Sequence, residues 1–195
     1  MNLMNYQFTS TQLLVGGFVL VLLVMIAVAA YMEHRKTKTL ALRASFGSEY
    51  DRAVEAHGSS SAAEAKLGDR STRVEKMEIH GLGTLERERF VTEWYSVQSR
   101  FVDYPKTAVT AADDLINALL EARGYPQTGF DQRAADVSAT YPRVMEDYRR
   151  AHAIAVRTGK EEATTEELRT AMIQYRKVFE GLTQAEKPTK QKSAA

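Results

Sequence analysis

Residues 1–32 carry no charged side chain, and from Leu13 to Tyr31 the chain is one unbroken apolar run, LLVGGFVLVLLVMIAVAAY. Nineteen helical residues rise about 28 Å, close to the hydrocarbon thickness of a bilayer. A helix satisfies its own backbone hydrogen bonds, so such a run can reside in lipid. The run stops abruptly at Glu33-His34-Arg35-Lys36-Thr37-Lys38. The sequence therefore predicts a signal-anchor: a short non-cytoplasmic N-terminus over 1–12, a single transmembrane helix over 13–31 and a basic juxtamembrane segment over 32–43.

Orientation follows from where Lys and Arg flank the span. None precedes it, whereas Arg35, Lys36 and Lys38 follow it directly, with Arg43 beyond. Basic flanks stay cytoplasmic, which predicts an N-out protein of a bacterial inner or plasma membrane with its C-terminal part inside. Ala27-Val28-Ala29 also reads as a cleavage site, and the rival expectation is an exported envelope protein. A secretory signal needs a positive n-region and a shorter apolar core than this one. The anchor reading is preferred. The chain has no Cys, which excludes disulfides, thiolate zinc sites and lipidation through Cys.

Charge is segregated along the rest. Residues 33–43 carry a net +3 and residues 183–195 a net +2, which leaves −4 of the chain's +1 for residues 44–182. A mildly acidic body lacks the concentrated basic face that nucleic acid requires. Its basic ends suit an anionic membrane surface, although stop-transfer alone accounts for the first cluster.

Apolar residues recur at helical spacing throughout. Phe90, Trp94, Val97 and Phe101 share one face of a helix from near Thr84, and Ala108, Ala112, Leu115 and Leu119 share another between Pro105 and Gly124. Val144, Tyr148, Ala151 and Ala155 follow Pro142. Leu168, Met172, Tyr175, Phe179 and Leu182 follow a capping box, Thr164 with Glu167. Phe46, Tyr50, Ala53 and His57 predict a helix continuing out of the juxtamembrane segment, and residues 62–79 a charged helix broken or softened at Gly68. Ser59-Ser60-Ser61 reads as a helix start or linker. The expected fold is all-α: a bundle of four to six helices over 44–182, followed by a basic disordered tail over 183–195.

Catalytic motifs are scarce. Gly81-Leu82-Gly83 is a fragment of a phosphate loop, and no Walker, H-E-x-x-H or G-x-S-x-G pattern occurs. His34, His57, His80 and His152 are scattered, so no metal and no cofactor is expected. Asp113-Asp114 and Glu161-Glu162 are read as acidic residues near helix starts, which the helix dipole explains. One denser polar cluster remains: Arg133, Asp136, Tyr148, Arg149 and His152. A structural ion-pair network is the preferred account of it, and a polar groove the alternative. In Arg123-Gly124-Tyr125-Pro126, the glycine supplies a left-handed helix cap and the proline stops propagation.

The motifs Phe46-Gly47-Ser48-Glu49-Tyr50-Asp51-Arg52, Trp94-x-x-x-Gln98-x-x-Phe101-Val102-Asp103-x-Pro105, Arg123-Gly124-Tyr125-Pro126, Phe130-x-x-Arg133-Ala134-Ala135-Asp136 and Tyr148-Arg149-x-Ala151-His152 occur in that order. Across about residues 44–182 the chain resembles a family of bacterial proteins with an N-terminal membrane anchor and a helical domain. Tyr104 departs from that pattern, which has Asp, a better N-cap, before the proline. The resemblance implies membrane location and a helical fold but no activity, so no functional residue is carried over. The expected function is a membrane-tethered, non-enzymatic interaction module that engages a protein partner or itself. The alternatives are an enzyme using Arg133, Asp136, Tyr148 and His152, or an exported envelope protein.

Overall fold

Gly47 decides how the chain leaves its first helix. A computed structural model describes residues 10–184, with side chains from Val15. α1 runs over Ser10–Phe46 as one helix, so the basic segment after Tyr31 continues it rather than ending it. Gly47 then adopts φ 53°, a left-handed conformation open to glycine, and α2 restarts at Ser48–His57. The helix expected to continue through Phe46 to His57 is therefore broken at Gly47. Residues up to Ala41 form one compact unit and those from Leu42 a second. Within the first, Val15 to Met32 are exposed throughout, and α1 is long and apolar enough, by length and composition, to cross a membrane.

The second unit is all helical among the described residues. α3 spans Ser60–Glu75, α4 Thr84–Arg100, α5 Pro105–Ala122, α6 Phe130–Thr140, α7 Met145–Gly159 and α8 Thr165–Gln184. Seven helices thus follow α1, against an expected four to six, because Gly47 separates α2 and because 130–140 forms a short helix of its own. α3 runs unbroken through Gly68, and Ser59 Oγ accepts the Ala62 N–H at 3.2 Å as its N-cap. α3 ends at Glu75 rather than near residue 79, and the loop after it buries Ile79 and Leu82. Of the expected tail 183–195, Thr183 and Gln184 close α8, and residues 185–195 lie outside the described residues.

α5 and α8 form the centre, with α4 and α7 packed against them and α6 bridging to α3. The main core joins the stripes read from the sequence: Phe90 and Trp94 on α4, Leu115 and Leu119 on α5, Tyr148 and Ala151 on α7, Tyr175 and Phe179 on α8. A smaller core, Phe46, Tyr50, Ala53, Ala63 and Leu67, holds α2 against α3, with Ala139 of α6 alongside. The capping box of α8 forms as expected: Glu167 N–H donates to Thr164 Oγ1 at 3.3 Å and Thr164 N–H to Glu167 Oε2 at 2.8 Å. Tyr104 gives no side-chain cap to α5.

The end of α5 fixes both the 76–83 loop and the approach to α6. Gly124 sits at φ 92°, and a Cβ there would lie 2.5 Å from the Glu78 carbonyl. Its N–H donates to Glu121 O, and Tyr125 N–H to Leu120 O. Tyr125 is then buried over the helix end, and His80 N–H donates to Arg123 O, tying the 76–83 loop to this turn.

Candidate functional site

α6 presents two faces, and they divide the polar cluster expected from the sequence. Phe130 and Arg133 lie on the face toward α5 and α7; Gln132 and Asp136 lie on the face toward α3. Arg133, Tyr148 and His152 are accordingly brought together, whereas Asp136 and Arg149 belong to a separate network.

The first group is built around two residues of α5, one turn apart. Asn117 Oδ1 accepts from Tyr148 Oη at 3.1 Å and from Arg133 Nη1, while Arg133 Nη2 reaches the Thr128 carbonyl. Asp113 Oδ1 accepts from Tyr175 Oη at 2.6 Å and lies 3.0 Å from His152 Nδ1. The His152 ring stacks on Phe130 at 3.7 Å, and Phe130 meets Tyr148 edge-on at 5.1 Å. Four helices therefore meet through one continuous set of hydrogen bonds and rings.

Electrostatics follows from burial. Burial pushes the Asp113 carboxyl up, but the hydrogen bonds from His152 and Tyr175 outweigh it and hold the group below the usual carboxylate range. Burial pushes the Tyr148 phenol up to about 12, with the Asp113 charge adding to it. Tyr175 is driven up further by the same two causes. Both phenols remain donors at neutral pH. Asp113 stands in the third turn of α5, so the helix-dipole explanation of Asp113-Asp114 fails for it; its role is to accept from α7 and α8.

The second network clamps α2–α3 to α6–α7. Glu49, 2 % exposed, takes Arg149 in a fork, Nε to Oε1 and Nη2 to Oε2 both at 3.0 Å, with Arg52 Nε 3.6 Å from Oε1. Asp136, 1 % exposed, accepts from Arg73 Nη2 and from Gln132 Nε2. Sequence reasoning assigns no place in either network to Asp113, Asn117, Phe130, Tyr175, Glu49 or Arg73. Asp113 and Asn117 do carry a signal there, as polar residues four apart that directly follow the buried apolar positions Ala112 and Ile116.

Arg35, Lys36 and Lys38 lie on the exposed surface of α1, and His34, His57 and His80 are exposed. A half-open cavity of about 440 Å³ borders the first group, lined by Asp114, Asn117, Glu121, Tyr125, Thr128 and Arg133. A groove of about 430 Å³ runs between α4 and α8 past Trp94, Tyr95, Phe179, Arg87 and Arg176. Chemically, an Asp–His pair is able to orient a general base. Here one face of the imidazole is covered by Phe130, and each polar partner of the cluster holds one helix to another. Comparison with family models, curated proteins and solved structures gives no match.

Proposed function

We propose that the chain is a membrane-tethered helical interaction module, anchored through α1 in a bacterial inner membrane with the domain from Leu42 on the cytoplasmic side. The observation that carries this reading is the pairing of an apolar helical stretch, exposed from Val15 to Met32, with a domain whose polar cluster is consumed in holding helices together. Tethering raises the effective concentration of such a domain at the membrane, so a weak contact with a protein partner or a second copy becomes effective. The domain also leaves apolar side chains in solvent: Tyr95 on α4, then Val102 and Tyr104 in the turn before α5. Orientation rests on the basic residues after Tyr31.

Photo-reactive side chains at Tyr95, Val102 and Tyr104 test this in the full chain within bacterial membranes. The expected result is a discrete cross-linked species from at least one position, none from exposed Asp69, and a chain that resists carbonate extraction. A reporter fused after Ala195 is expected to be active in the cytoplasm. A chain that stays monomeric at all three positions contradicts the interaction, and a reporter active only outside favours the exported alternative.

A further inference from the structure

The cavity of about 440 Å³ beside α5 is lined by three charged side chains, Asp114, Glu121 and Arg133. Asp114 and Glu121 lie two turns apart on one face of α5, with Asn117 one turn from each. Both carboxylates are exposed, and among the described residues neither makes a side-chain hydrogen bond or an ion pair. Arg133 enters from α6. Its Nη1 donates to Asn117 Oδ1 and its Nη2 to the Thr128 carbonyl, both neutral acceptors, and among the described residues it has no carboxylate partner. Two of its five N–H donors are so used.

The turn after α5 supplies the rest of the wall. Tyr125, 2 % exposed, and Thr128 hold buried hydroxyl oxygens with no hydrogen-bond partner among the described residues. Buried polar atoms without partners are costly, and a bound polar group relieves that cost. A volume of this size admits a small molecule. Asn117 fixes the layout: it stands between the two carboxylates and holds the guanidinium, so one positive group is flanked by two negative ones. The lining carries two negative charges against one positive, a net −1. A simple anion meets two repelling carboxylates there, and a simple cation meets Arg133. A molecule with one carboxylate and two ammonium groups pairs all three.

We propose that this cavity binds a free diamino acid, an amino acid of the lysine type with an ammonium side chain. Its carboxylate meets Arg133, whose planar fork suits carboxylate oxygens, and the Thr128 hydroxyl beside it. Its two ammonium groups meet Asp114 and Glu121, and its methylene chain lies against Tyr125 and Pro126. The bonds from Arg133 to Asn117 and Thr128 stay in place, so binding adds to the scaffold without dismantling it. The site is independent of any protein contact made by α4 and the turn after it.

The test is calorimetric titration of the full chain in non-ionic detergent micelles with L-lysine, L-norleucine and cadaverine. Lysine is expected to bind saturably, with about one molecule per chain on the 1:1 scheme of ligand linkage. Norleucine lacks the side-chain ammonium and cadaverine lacks the carboxylate, and each should bind at least roughly tenfold more weakly, the scale of one charge-assisted hydrogen bond. Cadaverine thus reads the contribution of Arg133 from the ligand side, leaving intact a residue that also holds helices together. Asp114→Asn and Glu121→Gln change exposed side chains and should each weaken lysine by roughly tenfold. Asp69→Asn, on α3, should bind as wild type does. No saturable heat with lysine up to about 10 mM, equal affinity for the three ligands, or equal affinity in wild type, Asp114→Asn and Glu121→Gln overturns the proposal. So does an equal loss in Asp69→Asn, which general charge attraction gives.

Discussion

Arg123→Ala is expected to lower the unfolding free energy of the domain by about 2–5 kcal/mol, the sum of a cavity and a lost buried hydrogen bond. Arg123 is 0 % exposed, at the C-terminal end of α5. Its Nη1 donates to the Leu182 carbonyl of α8 and its Nη2 to Tyr141 Oη beyond α6, and its guanidinium lies 5.1 Å from the Tyr141 ring centre. Truncation leaves that carbonyl without its donor and opens a void at a point where α5, α6 and α8 converge. Arg123→Met separates the two effects: it fills most of the volume and restores no donor, so it should recover part of the loss and no more. Denaturant unfolding of the full chain in detergent measures both. A loss below about 1 kcal/mol for Arg123→Ala, the range of ordinary surface changes, contradicts the assignment.

Trp94→Ala should cost a comparable amount, about 3–5 kcal/mol. The indole is 5 % exposed and stacks on Phe179 with ring centres 5.0 Å apart and planes 12° from parallel. That contact joins α4 to α8, so the truncation removes aromatic area from both helices. Trp94→Phe keeps the stack and should retain most of the stability. Near-wild-type stability in Trp94→Ala would mean that the ring contributes to the α4–α8 groove and little to the core.

Both residues illustrate what the sequence makes legible. The stripe Phe90–Trp94–Val97 announces its helix through spacing alone, because a core-facing helix must repeat its apolar side chains every three or four residues. Arg123-Gly124-Tyr125-Pro126 announces a helix end for the same local reason. Neither says that the arginine reaches Leu182, because that partner is fifty-nine residues away and is fixed only by packing. Glu49 and Arg149, one hundred residues apart, are invisible on the same ground. Gly47 and Gly68 look equivalent in a helical pattern. Gly47 breaks its helix at positive φ, whereas Gly68 remains helical and exposed, as the small penalty for glycine in a helix allows. α6 is not legible as a helix because its buried apolar residues, Ala134 and Val137, are too few and too small to show a period.

The cluster expected from Arg133, Asp136, Tyr148, Arg149 and His152 is legible as a concentration of polar groups, and its division is not. Which of them meet depends on how the two faces of α6 are packed. Asp113 and Tyr175, which complete the group, belong to stretches whose apolar neighbours dominate the pattern.

Whether that group is scaffold is the claim on which the functional reading rests, and one measurement addresses it directly: unfolding free energies of wild type, Asp113→Asn, His152→Ala and the double variant from neutral to acidic pH. Asp113 is held below its ordinary pKa, so its contribution is complete above the unfolded value near about 3.9 and is lost as pH falls through the lower folded value. At pH 7 each single variant should lose about 1–3 kcal/mol. The double should lose less than their sum, as expected for groups sharing one carboxylate. The Asp113→Asn deficit should then shrink as the pH drops below the carboxylate range. Wild-type stability in both single variants at every pH would contradict the scaffold assignment and return Asp113 and His152 to candidacy as an active pair.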